Sequence, residues 1–100
     1  MSYNGTATHT LAHYIKTLPP RTTFFIYNVP EVVPLLSSHQ YYQYIESSGT
    51  VAYMPNVLPA LASGSADIVV VSPDTYRANR VLFVRYPRQS AVGAYFILQK

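Results

Sequence analysis

Residues 10–53 read TLAHYIKTLPPRTTFFIYNVPEVVPLLSSHQYYQYIESSGTVAY, and they set the order of elements in the first half of the chain. Four apolar side chains near the start recur at the spacing of one helical face: Leu11, Tyr14, Ile15 and Leu18. This periodicity predicts an amphipathic helix over residues 8–18. The Pro19-Pro20 pair forbids its continuation, because proline lacks the backbone N–H that the next helical turn needs.

Two shorter elements are predicted to follow this helix. Residues 22–29 are rich in β-branched and aromatic side chains, which favours a strand. Residues 30–36 should form a short, distorted helical turn, since Pro34 clashes with regular helix beyond the first turn.

Residues 38–48 also carry a helical pattern, which predicts a second main helix. Ser37 and Gln40 fit a capping pair at its start, and Gly49 is placed to end it in a left-handed conformation. Its apolar positions fall at helical spacing: Tyr41, Tyr42 and Ile45.

The second half of the chain has the character of β-structure. We expect strands at residues 50–54 and 67–72, an irregular connection over 55–65, and an antiparallel pair formed by 81–86 and 94–98. The whole chain is then one α+β domain spanning residues 1–100. It would hold two main helices and a short helical turn in the N-terminal half, with an antiparallel sheet of three to four strands.

Composition favours a binding or assembly protein. Hydrophobic residues make up 49% of the 100 residues, enough for a core without disulfides or metal, and there are no cysteines. Only 11% of the residues are charged, against about 25% in ordinary soluble domains, whereas ten are tyrosines. Tyrosine enriches binding surfaces because it combines apolar area with a hydrogen-bonding tip.

Positive charge is concentrated late in the chain. The net charge is +3, and one cluster without an intervening acid holds Arg77, Arg80, Arg85 and Arg88. Such a cluster suits contact with phosphates or with an acidic protein face, and it equally suits a solvated turn and strand edge.

No enzymatic constellation stands out, and we expect no catalytic residues, no cofactor and no small-molecule substrate. The four glycines are isolated, so there is no glycine-rich phosphate loop. His9 and His13 would share one face of the first helix, but no carboxylate lies near them in sequence to complete a metal site. Solvent-facing histidines are the simpler interpretation.

The polar first ten residues contain no secretory signal, and the longest apolar run, residues 68–71, is too short to cross a bilayer. We therefore expect a cytoplasmic or virion-associated protein without a membrane partner.

The order helix, strand, helical turn, helix ending in glycine, strand resembles the winged helix-turn-helix family of DNA-binding domains. The positions that carry this resemblance are apolar core positions and one glycine: Leu11, Ile15, Leu18, Phe24 or Phe25, Val29, Val32, Leu36, Tyr41, Ile45 and Gly49. In that family the third helix enters the major groove of DNA. The chain departs from the family at Pro34, in the lack of lysine or arginine on the third helix, and in the length of the segment between the candidate wing strands.

The resemblance implies double-stranded DNA as the partner. Side chains of the third helix would point toward the bases: His39, Gln40, Tyr42, Gln43 and Glu46. Glutamine is a reasonable reader of adenine edges. The phosphate contacts would come from Arg77, Arg80, Arg85 and Arg88, if the C-terminal strands fold beside that helix.

Two functional hypotheses follow. The first is a small winged-helix-type regulatory protein that binds DNA as a dimer. The second is a protein-interaction or assembly module, such as a small viral structural protein or a host-targeting inhibitor, that forms homo-oligomers or binds a protein partner. The sparse charge, the tyrosines and a free strand edge near the C-terminus favour the second.

Overall fold

The computed structural model of the chain describes residues 3–36, 39–47, 50–53 and 57–100. Within these ranges the chain forms three α-helices, six strands and two 3-10 helices. The α-helices are α1 (Tyr3–Lys16), α2 (Leu58–Ser63) and α3 (Pro73–Ala78), and the 3-10 helices span Pro30–Leu36 and Arg80–Phe83. The strands are β1 (Phe24–Tyr27), β2 (Tyr41–Ser47), β3 (Thr50–Tyr53), β4 (Ile68–Val71), β5 (Arg88–Val92) and β6 (Tyr95–Gln99).

The six strands form one mixed sheet in the order β3-β2-β1-β4-β6-β5. The centre is parallel, since β1 pairs in parallel with β2 on one side and with β4 on the other. The flanks are antiparallel, with β3 on β2, and with β6 joining β4 to β5. The α+β class is confirmed, but the predicted sheet of three to four antiparallel strands is wrong in strand number and in direction.

Helices cover both faces of the central strands. Phe24 and Ile26 of β1 pack with Leu11 of α1 and with the first 3-10 helix. Phe25 and Tyr27, pointing the other way, pack with side chains of α2 and of the second 3-10 helix. Because β1 and β4 are buried on both faces, their sequences FFIY and IVVV are continuous apolar runs rather than alternating ones.

Several predicted elements are confirmed. The first helix exists, although it begins at Tyr3 instead of residue 8. The strands at β1, β3, β4 and β6 form within or close to their predicted ranges. The distorted helical turn is a 3-10 helix over Pro30–Leu36 that accommodates Pro34.

The helix predicted over residues 38–48 is wrong, because Tyr41–Ser47 within this segment form β2. Tyrosine and isoleucine are strand formers, and pairing with β1 gives their side chains partners that an isolated helix would lack. Tyr42 stacks on Phe25 with ring centroids 6.1 Å apart, and Tyr44 lies 5.0 Å from Tyr27. The predicted end signals Ser37 and Gly49 lie outside the described residues.

Two predictions in the second half also fail. The connection over residues 55–65 contains α2, which tolerates Pro59 in its first turn and ends at Gly64. The strand predicted over 81–86 is instead the 3-10 helix Arg80–Phe83, whose buried side chain is Phe83. The hairpin partner of β6 is therefore β5, which lies between the two strands predicted over 81–86 and 94–98.

The backbone conformation at the end of α2 favours a glycine at position 64. Its φ of +71° is left-handed, and its backbone N–H bonds the carbonyls of Ala60 and Leu61. A Cβ at this position would lie 3.4 Å from the Lys100 Cδ.

We predict that Gly64→Ala lowers the free energy of unfolding by about 1–2 kcal/mol, because alanine is strained at positive φ. Gly64→Asn adds the same Cβ but tolerates this conformation better, so its loss should be smaller. Urea unfolding of both variants measures the difference, and equal losses would contradict backbone strain at positive φ as the cause.

Candidate functional site

Five strand ends meet at one end of the sheet, which we call the amino end. Here β1, β2, β4 and β5 begin and β6 ends. The register places one row of residues across it: Tyr41, Phe24, Ile68, Gln99 and Arg88. With about 4.8 Å between neighbouring strands, the row is about 19 Å long from β2 to β5. Loops at this end therefore lie side by side although they are distant in sequence.

A pocket of about 410 Å³ opens at the β2 side of the amino end. The described residues that line it are Thr23, His39, Gln40, Tyr41 and Tyr42. Tyr41 is 44% exposed and Tyr42 is 36% exposed, so both rings reach solvent. As sequence neighbours in a strand they point to opposite faces of the sheet, and both line the pocket.

His39 is held in one orientation inside this pocket. Its Nδ1 lies 3.0 Å from the carbonyl oxygen of Thr22, and its ring makes an edge contact with Phe24 at 5.2 Å. Since a carbonyl can only accept, Nδ1 must carry the proton and donate it. In the neutral ring, Nε2 is then left with a lone pair, and no described group bonds it.

Asp67 has a structural role beside the pocket. Its Oδ2 accepts hydrogen bonds from the backbone N–H of Thr23 at 2.9 Å and from the Thr23 hydroxyl at 3.2 Å. The same hydroxyl accepts from the Asp67 backbone N–H at 3.2 Å. These bonds clamp the start of β1 to the start of β4, so both the carboxylate and the hydroxyl are already engaged.

Three cations form a cluster at the other side of the amino end, which we call the cationic corner: Arg85, Arg88 and Lys100. Arg85 Nε donates to the carbonyl of Ala62 at 3.2 Å, and Lys100 Nζ donates to the carbonyl of Gly64 at 2.9 Å. Arg88 Nε donates to the carbonyl of Lys100 at 3.1 Å. All three side chains are exposed, so their remaining N–H donors face solvent.

The predicted arginine cluster is therefore divided. Arg85 and Arg88 lie at the amino end, whereas Arg77 and Arg80 lie on the segment that leads there from the far end of β4. Arg77 is paired with Asp74 at 2.9 Å on the exposed surface of α3. Lys100 was not predicted as a site residue, and only the pairing of β5 with β6 brings it to Arg88.

The predicted base-reading residues are also divided. His39, Gln40 and Tyr42 line one pocket, but on β2 and the loop before it, not on a helix. Gln43 pairs with Ile26, so it points to the face opposite Tyr42. The side chain of Glu46 lies outside the described residues. Tyr41 and Thr23 were missed, and the YYQY run was the available signal for Tyr41.

Other sequence-based candidates remain separate from this site. His9 and His13 are exposed on α1, and the described residues contain no group of three side chains suited to a metal ion. Within the described ranges, no helix has both the length and the apolar character needed to span a membrane.

At the opposite end of the sheet, Tyr95 ties β6 to the first 3-10 helix. The Tyr95 hydroxyl donates to Glu31 Oε2 at 2.9 Å. Burial, then the hydrogen bond to Glu31 and its negative charge, raise the pKa of Tyr95 to about 12 from its usual 10.

We predict that this tyrosine makes stability fall in alkali. A pKa raised by folding contributes stability that is complete below pH 10 and lost as the pH rises toward about 12. Urea unfolding across this range should show a steeper loss for the native sequence than for Tyr95→Phe. Tyr41→Phe is the matched control because its hydroxyl is on an exposed side chain, and it should keep the native slope. Equal slopes for all three proteins would contradict the assignment.

Comparison with protein-family models, with curated proteins and with solved structures finds no match to this chain. Function must therefore be inferred from the arrangement of these side chains.

Proposed function

We propose that this protein is a non-enzymatic module that binds single-stranded nucleic acid along the amino end of its sheet. The observation that carries the proposal is the position of two exposed tyrosines around a pocket at the same end as the cationic corner. Proteins that bind single strands combine these features, with aromatic rings for the bases and a positive surface for the backbone.

The proposal replaces the duplex-reading helix expected from the sequence. Residues 41–47 are a strand, so the side chains of this segment are not presented on a helix that could enter a major groove. Exposed tyrosine rings can stack on the faces of unpaired bases, which a duplex keeps covered. Each such contact contributes about 1–3 kcal/mol.

The charges at the amino end support a phosphate partner. Arg85, Arg88 and Lys100 keep solvent-facing donors, while the nearby carboxylate of Asp67 is held by Thr23. Each phosphate that a cation neutralises releases counterions, so binding weakens as salt rises.

The described carboxylates support a binding role rather than catalysis. Asp67 bonds Thr23, Glu31 bonds Tyr95, and Asp74 bonds Arg77. Each of these acids thus has a partner that explains its position, and none of them lines the pocket. A carboxylate that acts in general acid–base chemistry must be free to reach a substrate, and these three are engaged elsewhere.

We predict measurable affinity for a short single-stranded oligonucleotide that falls steeply with salt. For three neutralised phosphates the slope of log K against log salt is about −2, so affinity should fall about 20-fold between 50 and 200 mM. Fluorescence anisotropy with a labelled oligonucleotide measures it. No binding to single strands at 50 mM salt would refute the proposal.

Charge removal tests the location of the interface. Arg85→Gln combined with Arg88→Gln should weaken binding to every sequence and make the salt slope shallower by about 1.4. Arg77→Gln is the matched control, because Arg77 is paired with Asp74 away from the amino end, and it should change affinity little. If Arg77→Gln weakens binding as much as the double change, the interface lies elsewhere.

One observation favours a second function, which is assembly with a protein partner or with a second copy of the chain. Strand β5 is the last strand of the sheet, it pairs only with β6 among the described strands, and four of its five side chains are exposed. On the second 3-10 helix and just after it, Val81 and Val84 are 76% and 70% exposed. A free strand edge and exposed apolar side chains favour association.

The salt series separates the two functions. Association through apolar contacts and strand pairing should persist between 50 and 200 mM salt, unlike phosphate binding. Light scattering at high protein concentration measures self-association directly, and a strictly monomeric species would exclude the homo-oligomer.

A further inference from the structure

We infer that the pocket at the amino end is selective for adenine over thymine or uracil. The inference rests on the proposed function, because it concerns which base of a bound single strand enters this pocket. It depends on which side-chain groups of the pocket remain available for a base after the hydrogen bonds within the protein are formed.

Most polar groups around the pocket are already used. The Thr23 hydroxyl both donates to and accepts from Asp67. The backbone carbonyl of Gln40 accepts from Phe24, and His39 Nδ1 donates to Thr22. Among the described side chains that line the pocket, two groups other than the tyrosine hydroxyls have no internal hydrogen bond: the lone pair of His39 Nε2 and the amide of exposed Gln40.

The hydrogen-bond donors and acceptors of these two groups can be assigned. His39 Nε2 in the neutral ring can only accept, because the hydrogen bond to the Thr22 carbonyl fixes the proton on Nδ1. The Gln40 amide offers one acceptor oxygen and two N–H donors. Together they present two acceptors beside one donor group.

Adenine complements this set. Its exocyclic amino group provides two N–H donors, and the neighbouring N7 accepts, which is the pattern that a glutamine amide reads in a bidentate manner. The second amino hydrogen remains for His39 Nε2. Thymine and uracil offer a single N–H between two carbonyl oxygens, so a carbonyl lone pair would face the lone pair of the histidine or the oxygen of the glutamine.

The aromatic wall of the pocket is pre-formed. Tyr42 lies nearly parallel to Phe25, with an interplanar angle of 23° and ring centroids 6.1 Å apart. Phe25 is fully buried in the core, so the Tyr42 ring is supported from the inside of the sheet. A base that enters the pocket therefore meets a Tyr42 ring and a His39 imidazole that are already restrained.

The test compares oligoadenylate with oligothymidylate of equal length, about six nucleotides, by fluorescence anisotropy at 50 mM salt. We expect the native protein to bind oligoadenylate about tenfold more tightly, the size of one good base-specific contact. His39→Asn retains an N–H that can reach the Thr22 carbonyl but lacks Nε2, and it should remove most of this difference. Oligoadenylate stacks on itself, which affects its affinity for every variant equally. The effect therefore cancels when the ratio of affinities for the two oligonucleotides is compared between the variant and the native protein.

Two further variants complete the design. Gln40→Ala removes the amide from an exposed side chain that makes no hydrogen bond among the described residues, so it reports on the pocket even if His39→Asn unfolds the protein. Gln89→Ala is the matched control, because Gln89 is exposed on β5 at the far side of the sheet, and it should leave the preference unchanged.

The outcomes are distinguishable. Equal affinity of the native protein for both oligonucleotides, or a preference that His39→Asn and Gln40→Ala leave intact, overturns the selection of adenine. In either case salt-sensitive binding through the cationic corner would still stand. Absence of binding to both oligonucleotides overturns the proposed function itself.

Discussion

Parallel pairing of β1 with two neighbours is the constraint on which the rest of the molecule depends. Its four residues are buried on both faces, and it holds β2 on one side and β4 on the other. Because parallel strands start at the same end, this pairing brings the loops before all three strands together. The clamp between Thr23 and Asp67 then fixes the start of β1 against that of β4. The pocket is a consequence of this alignment, because Thr23 precedes β1 whereas its other described lining residues belong to β2 and the loop before it.

The same constraint explains which elements the sequence predicts and which it does not. FFIY and IVVV are recognisable because strands covered on both faces are apolar throughout, and α1 is recognisable from Leu11 and Ile15 on its buried face. Residues 41–47 are not recognisable as a strand, because the spacing of Tyr41, Tyr42 and Ile45 fits a helix as well as a strand. Pairing with β1 and the ring contacts of Tyr42 and Tyr44 favour the strand, and single-sequence patterns contain no such long-range contact.

Part of the candidate site can be predicted from the sequence. His39, Gln40 and Tyr42 were singled out as one group, and they do line one pocket, although on a strand and the loop before it. Arg85 and Arg88 were singled out by their charge. Their separation from Arg77 depends on the path of the backbone, because Arg77 lies on α3 and the second 3-10 helix stands between it and Arg85. Lys100 carries no sequence signal at all, since its relation to Gly64 arises from the path of β6.

Anchoring of the cationic corner by backbone carbonyls has a consequence for how fast and how firmly a ligand is held. Long basic side chains usually lose rotamer freedom when they bind, at a cost of about 0.5–1.5 kcal/mol each. Arg85, Arg88 and Lys100 are already restrained in the unliganded protein by Ala62, Lys100 and Gly64 respectively. Under the proposed function, part of that entropy is lost during folding instead, which favours firm binding and slow dissociation of the ligand.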